Sequence, residues 1–419
     1  MLAPERPPAN EELEALIREA RMRQRRRWLL GAGAIAIAAG VSLALWAALS
    51  GGGKVVVRGH GPIRVVVGHV AGTTSTLRGI GDVGSAGGVT WAINGHGFWL
   101  TTNGGRTWRN ARLPNLARGG GAETRADPIA NIAGVQFIDR RRGWVSVMGR
   151  SRIYRTTDGG RTWRVSIPPG CTAVCEGGAI DFLDARRGYS LVETQASSNK
   201  LFRTADGGRT WQLVSQPSVY GRIVFVDRSH GFAFGGRPQM IIGPFGGPPL
   251  GFVYETADGG RTWSRYDPAG SGSFVEQPYS ALGHEVFLVQ NGPNPDGGLN
   301  LAAATIYLTR DAGRHWSGRV VPPGPAVAVS FSAASPNVWA WASGQNLLVT
   351  DHAGNGWTEI VLRGLPQRAA IRKIVFTSQR AGWAVLWGFG PHGSLFRTTD
   401  GGAQWKPAGP PLEHGSSNR

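Results

Sequence analysis

The feature that most constrains the fold of this 419-residue chain is an eight-residue phrase, Thr204-Ala205-Asp206-Gly207-Gly208-Arg209-Thr210-Trp211. It recurs almost unchanged at 156–163 and 256–263, and at 101–108 with Asn103 in place of the acid. Looser copies stand at 309–316, 350–357 and 398–405. The closing tryptophans are Trp108, Trp163, Trp211, Trp263, Trp316, Trp357 and Trp405, in steps of 55, 48, 52, 53, 41 and 48 residues. A period of this length marks a solenoid or a propeller, because one such unit cannot bury its apolar faces alone.

Each copy has the chemistry of a hairpin. An apolar lead-in such as Leu201-Phe202-Arg203-Thr204 favours a strand. Asp-Gly-Gly supplies left-handed backbone positions at little steric cost. The acids Asp158, Asp206, Asp258, Asp311, Asp351 and Asp400, with Asn103, are expected to accept amide hydrogen bonds within their own turns. The tryptophan opens the return strand and is large enough to lock the hairpin onto a neighbouring sheet.

A second signature precedes most copies. It reads Val135-Gln136-Phe137-Ile138-Asp139 then Gly143-Trp144, Ile180 to Asp184 then Gly188-Tyr189, Ile223 to Asp227 then Gly231-Phe232, and Ile374-Val375-Phe376 then Gly382-Trp383. This is a strand, a short turn and a second strand. Four strands per unit are the content of one propeller blade. The expected fold is all-β, a seven-bladed propeller of four-stranded antiparallel blades over 63–410, followed by a tail at 411–419. The 64 glycines suit short strands and tight turns. Ile63 to Val70 is expected to supply the first inner strand, with Val55 to Val57 as linker or closing strand, and the last outer strand is expected to end near Lys406 to Ala408.

The phrase is similar to the Asp-box, or BNR repeat, of sialidases, sortilins, xyloglucan-cleaving glycoside hydrolases and photosystem II assembly factors. Asp-Gly-Gly-Arg-Thr-Trp boxes with Gly-Trp second strands resemble most the photosystem II stability and assembly factor-like family. That resemblance implies a single propeller without hydrolase residues, acting as a protein-binding scaffold. The alternative it leaves is a sialidase-type glycoside hydrolase or a carbohydrate-binding propeller. A sialidase would need an arginine triad, an Arg-Ile-Pro motif, a Tyr-Glu pair and an acidic Asp. No Arg-Ile-Pro occurs, and Gly221-Arg222-Ile223-Val224 is its nearest counterpart. Xyloglucanases of this class use two propellers, and this chain has room for one.

The amino-terminal part reads differently. Residues 1–27 carry seven arginines and five glutamates, a net of +2. Residues 28–49 hold no charge and, at about 1.5 Å per residue, span roughly 33 Å as a helix, enough for a bilayer core. A cleaved signal peptide ending near Ala48-Leu49-Ser50 is the competing reading, but the leader and the apolar run are long for one. The expectation is an uncleaved single-span anchor in the cell membrane. The preceding arginines would keep 1–27 cytoplasmic and place the linker (50–62) and propeller outside.

Outside the cytoplasm, Cys171 and Cys175 are expected to pair and pin their loop. The nine histidines show no metal-ligand spacing. No catalytic residue, cofactor or metal is expected. Charge remains as a signal. The chain's +18 less the +2 of residues 1–27 leaves +16 for the rest. Blade topology puts the turns of both signatures on one face. That face would collect Arg140, Arg141, Arg142, Arg186, Arg187, Arg228 and Arg380, with Arg106, Arg161, Arg209, Arg261 and Arg314 from the boxes. Such a face suits an acidic protein or another anionic surface, with carbohydrate possible and nucleic acid not expected. The long insertions at 113–131, 168–178, 235–251 and 291–300 fall on the opposite face.

Overall fold

The computed structural model describes residues 80–410, apart from 95–96, 115–131, 148–150, 172–174, 177, 195–198, 240–249, 267–273, 281–284, 294–298, 325–328, 367–368 and 388–394. The segment 28–49 and the expected strands at 55–57 and 63–70 lie outside the described residues. Among the described residues no helix is long and apolar enough to cross a membrane.

Seven antiparallel blades follow one another in chain order. Blade 2 is representative: Ile132–Phe137, Gly143–Val147, Arg152–Thr156 and Arg164–Ser166 pair in sequence. Blades 3 to 6 start at Ile180–Phe182, Val219–Phe225, Phe274–Ser280 and Val329–Ala333. A single backbone pairing, Gly251 with Phe274, joins blades 4 and 5 into one larger sheet. The insertions opposite the boxes are partly strand. In blade 4 the Gly231–Gln239 and Leu250–Thr256 hairpin extends to the pair Gln239 with Leu250.

The inner strand of blade 1 is Ile80–Ala86, which corrects the expectation of Ile63 to Val70. This stretch was hard to read because Ile-Gly-Asp-Val-Gly-Ser-Ala carries four small residues and no aromatic. The last outer strand, Lys406–Pro407, ends where the repeat puts it. Blade 7 then packs directly on blade 1. Trp108 meets Trp383 edge-on at 5.6 Å, and its indole N–H donates to the Ala408 carbonyl at 2.9 Å. Val83 and Ala92 join Trp383, Val385 and Leu395 in one buried cluster.

A recurring set of three rings explains the spacing of the two signatures. Trp144 of blade 2 lies flat on Phe182 of blade 3, at 3.7 Å and 8°. Trp211 of blade 3 meets the edge of Phe182 at 6.0 Å. The next interface repeats this with Tyr189 on Phe225 at 3.6 Å and Trp263 at 6.1 Å. The glycine that opens each second strand makes room for this. A Cβ on Gly143, Gly188 or Gly231 would lie within 2.4–2.7 Å of the ring of Phe137, Phe182 or Phe225. The second glycine of each box then seats the box on the preceding blade, Gly208 against Trp144 and Gly313 against Phe232. The tryptophan thus fastens its hairpin to the neighbouring blade, and Trp211 adds a hydrogen bond to Ser166 Oγ there at 3.0 Å.

Candidate functional site: the face of the Asp-box turns

The box acids are committed to their own turns. Asp206 Oδ1 accepts from Thr204 Oγ1 at 2.8 Å and from the amides of Arg209 and Thr210 at 2.9 and 3.0 Å. Its Oδ2 accepts from Thr210 Oγ1 at 2.6 Å. Asp158 and Asp258 repeat every one of these bonds. Desolvation pushes these carboxyls up, but the hydrogen bonds outweigh it and hold Asp206 and Asp258 down at about 2. Asp311 is held at about 2 by the His315 amide and ring. Asp400 accepts from Thr398 Oγ1 at 2.8 Å and from the Gln404 amide at 3.0 Å, and Gln404 has no hydroxyl to supply the last bond of the set. Asn103 makes the corresponding neutral set with Thr101 and Thr107.

One assignment needs correction. Asp351 follows Thr350 directly, so the position two residues on is His352, not an acid. The Asp351 carboxylate instead pairs with His352 at 2.5 Å and accepts from Gln379 of blade 7 at 2.9 Å. The Thr350 hydroxyl still accepts the Gly354 amide, so the hairpin and Trp357 keep their places.

The turns of the two signatures share one face and touch. The Gly159 amide donates to the Arg141 carbonyl, Gly207 to Arg186, Gly259 to Ser229 and Gly401 to Arg380, at 2.7–2.8 Å. The turns also couple sideways, since the Tyr189 hydroxyl of blade 3 donates to the Arg228 carbonyl of blade 4 at 2.9 Å.

The arginines divide by what they touch. Arg142 is engaged through Nε and a second nitrogen by Asp139, and Arg187 likewise by Asp184, at 2.5–2.7 Å. These two close their own turns. Arg161, Arg209 and Arg261 fold back onto the carbonyls of Asp158, Asp206 and Asp258 at 3.0–3.2 Å. Arg140, Arg141, Arg186, Arg228 and Arg380 are exposed, and among the described residues their guanidinium groups form no ion pair. The first four stand on the consecutive blades 2, 3 and 4, whereas Arg380 stands on blade 7. The Arg140 stem runs over Gly88 in the side-chain-free turn of blade 1, where a Cβ would sit 3.2 Å from its Nε.

The opposite face carries the disulfide between Cys171 and Cys175, both buried against Trp144, Ile153 and Val192. Cys175–Glu176 pairs with Glu193 and Thr194, at the far end of the strand that leaves the box face at Gly188. Among the described residues no group of three or more acidic, histidine or cysteine side chains could hold a metal.

Sequence reasoning missed a polar latch between the inner strands. Gln136 Oε1 accepts the Phe182 amide at 2.6 Å, and Asp181 Oδ2 accepts the Phe225 amide at 2.6 Å. Ser332 does the same for Phe376 at 2.8 Å. Each caps an edge N–H that no strand pairs. Asp181 keeps some accessible surface, but its carboxyl sits in the blade interface against Gln136 and the Phe225 amide, where desolvation pushes it up to about 6. The available signal was one polar residue at the same register of otherwise apolar strands, Val-Gln-Phe and Ile-Asp-Phe.

The rings, latches and boxes together define a seven-bladed propeller assembled from Asp-box hairpins. No protein-family model matches the chain, and no curated protein matches it. Among solved structures it is similar to the GH74 enzyme of Niastella koreensis, at 15% identity and a TM-score of 0.55 over 79% of this chain and 54% of that one. It is also similar to YCF48 bound to D1 peptide, at 16% identity, a TM-score of 0.47, and 78% and 92% of the two chains. The Hadza microbial sialidase Hz136 is a third, at 16% identity, a TM-score of 0.34, and 63% and 61%. The GH74 likeness is one of fold, and this chain spans only 54% of that enzyme's length.

Proposed function

We propose that this chain is a membrane-anchored, extracytoplasmic and non-catalytic propeller that holds an acidic protein partner on its Asp-box face. The observation that carries this reading is the set of exposed arginines on adjacent turns of blades 2, 3 and 4 that form no ion pair among the described residues. Beside them, the acids of the same turns and boxes are already engaged by Arg142, Arg187 and the box threonines. Arg142 and Arg187 are held by acids, while Arg140, Arg141, Arg186 and Arg228 are presented to solvent by rigid hairpins. Guanidinium groups on a fixed scaffold suit two-pronged recognition of carboxylates.

Changing Arg140, Arg141, Arg186 and Arg228 together to serine tests this. Exposed ion pairs contribute about 0.2–1 kcal/mol each, so partner affinity should fall about tenfold or more. Melting should be unchanged, because none of the four side chains closes a turn. Equal capture of partner by the parent and the variant at low salt would remove the arginines from the account.

The anchor is tested separately. The uncharged segment 28–49 after five arginines at 21–27 motivates a span with the amino terminus inside. The protein should remain with membranes through an alkaline carbonate wash, and protease should reach the propeller from the outer side alone. A soluble product beginning near Gly51 would show a cleaved leader instead.

A further inference from the structure

The ring closes between blades 7 and 1, and the joint carries a cleft of about 340 Å³ lined by Gly104, Gly105, Arg106, Arg397, Lys406 and Asp400, among others. We propose that this cleft is a binding site for a dianionic phosphate group, of the kind carried by a phosphate monoester. This cleft lies on the same face but rests on residues other than Arg140, Arg141, Arg186 and Arg228, and stands apart from that reading.

The joint differs from its counterparts in three respects. Blade 1 has Asn103 where the full boxes have an acid, so a carboxylate is missing from this box. In the three full boxes the arginine folds back onto the acid's carbonyl. Arg106 makes no such bond and lies along the cleft. Lastly, the amide of Gly104 lacks the bond that Gly159, Gly207, Gly259 and Gly401 make to the first turn. Blade 1 has only the short Gly87-Gly88 turn there.

Arg397 forms the opposite wall. Its guanidinium lies 5.8 Å from the centre of the Trp383 ring and close over Gly104, where a Cβ would fall 2.7 Å from a terminal nitrogen. The ring holds the guanidinium at the cleft wall, and a guanidinium suits two-pronged anion binding. Lys406 adds a third cation. Among the described residues Arg106, Arg397 and Lys406 form no ion pair. Asp400 faces its own turn, accepting from Thr398 Oγ1 and the Gln404 amide. Three positive charges less one negative leave +2, which a dianion neutralises and a monoanion does not. Left-handed glycines at 104 and 105, with φ of 68° and 81°, keep Cβ atoms out of the approach.

The test is titration of inorganic phosphate into the full chain in detergent, at constant ionic strength, followed by calorimetry. Saturable binding is expected. In Arg106→Gln it should weaken about tenfold, the worth of one charge-assisted hydrogen bond. Arg106 is exposed, so this variant should fold. Asn103→Asp restores the acid that the other boxes tolerate, draws Arg106 back onto the turn and should weaken binding while melting holds. Vesicles separate the sources of phosphate. Capture by phosphatidic acid but not by phosphatidylglycerol at matched surface charge, with competition by free phosphate, assigns a lipid headgroup. Phosphate binding without vesicle capture assigns a soluble monoester. Absence of saturable phosphate binding, or equal affinity in the parent, Arg106→Gln and Asn103→Asp, overturns the proposal.

Discussion

Replacing Trp144 with alanine should destabilise the propeller by about 3–5 kcal/mol, the range for emptying a fully buried aromatic site. Trp144 is 1% exposed and lies flat on Phe182 of the next blade. Its indole N–H donates to the Gly207 carbonyl at 2.9 Å, inside the next Asp-box. A Cβ on Gly208 would lie 3.4 Å from the same nitrogen, so box and ring are in contact along their length. The substitution therefore opens a cavity, removes a stacked pair and orphans a buried carbonyl, and these losses fall at one blade interface. Trp144→Phe should recover much of the packing but not the hydrogen bond, leaving a deficit of about 1–3 kcal/mol. Chemical denaturation of the three proteins measures this. Equal midpoints for parent and Trp144→Ala would mean that blades 2 and 3 are held by something other than the ring set.

The second large effect is a pH dependence centred on Asp181. Its carboxyl lies at about 6 in the folded chain, above the ordinary value of 3.8. The folded state thus binds this proton more tightly than the unfolded state does. The stabilisation is fully present below about pH 4 and is lost as the pH rises through 6. At about 1.4 kcal/mol per unit, the loss approaches 3 kcal/mol between those limits. Asp181→Asn keeps an oxygen for the Phe225 amide and carries no charge to desolvate. Between pH 4 and 7 the parent should lose stability relative to this variant, so the gap between their melting temperatures should shift by several degrees. A gap that stays constant across that window would show that Asp181 is solvated enough to ionise freely.

How much of this was legible in the sequence depends on the distance between partners. The box bonds run from Thr to Asp to Thr within seven residues, so the repeat announced them along with the strand order. Glycine-aromatic openings and Phe-ended first strands also recur in register, and the ring set is the reason. The limits of the repeat were harder. Blade 1 begins at Ile80 with small residues where blades 2, 3, 4 and 7 have Phe, and blade 6 carries its acid one residue early, at Asp351 rather than position 352. The candidate face was visible only in outline. Aspartate with arginine three residues on, at 139 and 142 and again at 184 and 187, was a readable sign that those arginines are spent within their turns. Asp181 was marked only by its polarity in an otherwise apolar strand, and its partner lies 44 residues away across a blade interface.

The central claim is that partners are held on the face of the Asp-box turns. Photocrosslinking from single sites on the full chain in its own membrane tests it most directly. A crosslinking residue at Arg186, which is exposed on that face, should capture a discrete partner, and added salt should reduce the yield. The same residue at Pro169, exposed beside the disulfide on the opposite face, should capture little. A discrete, salt-insensitive product from Pro169 with none from Arg186 would contradict the account and move binding to the other side of the ring.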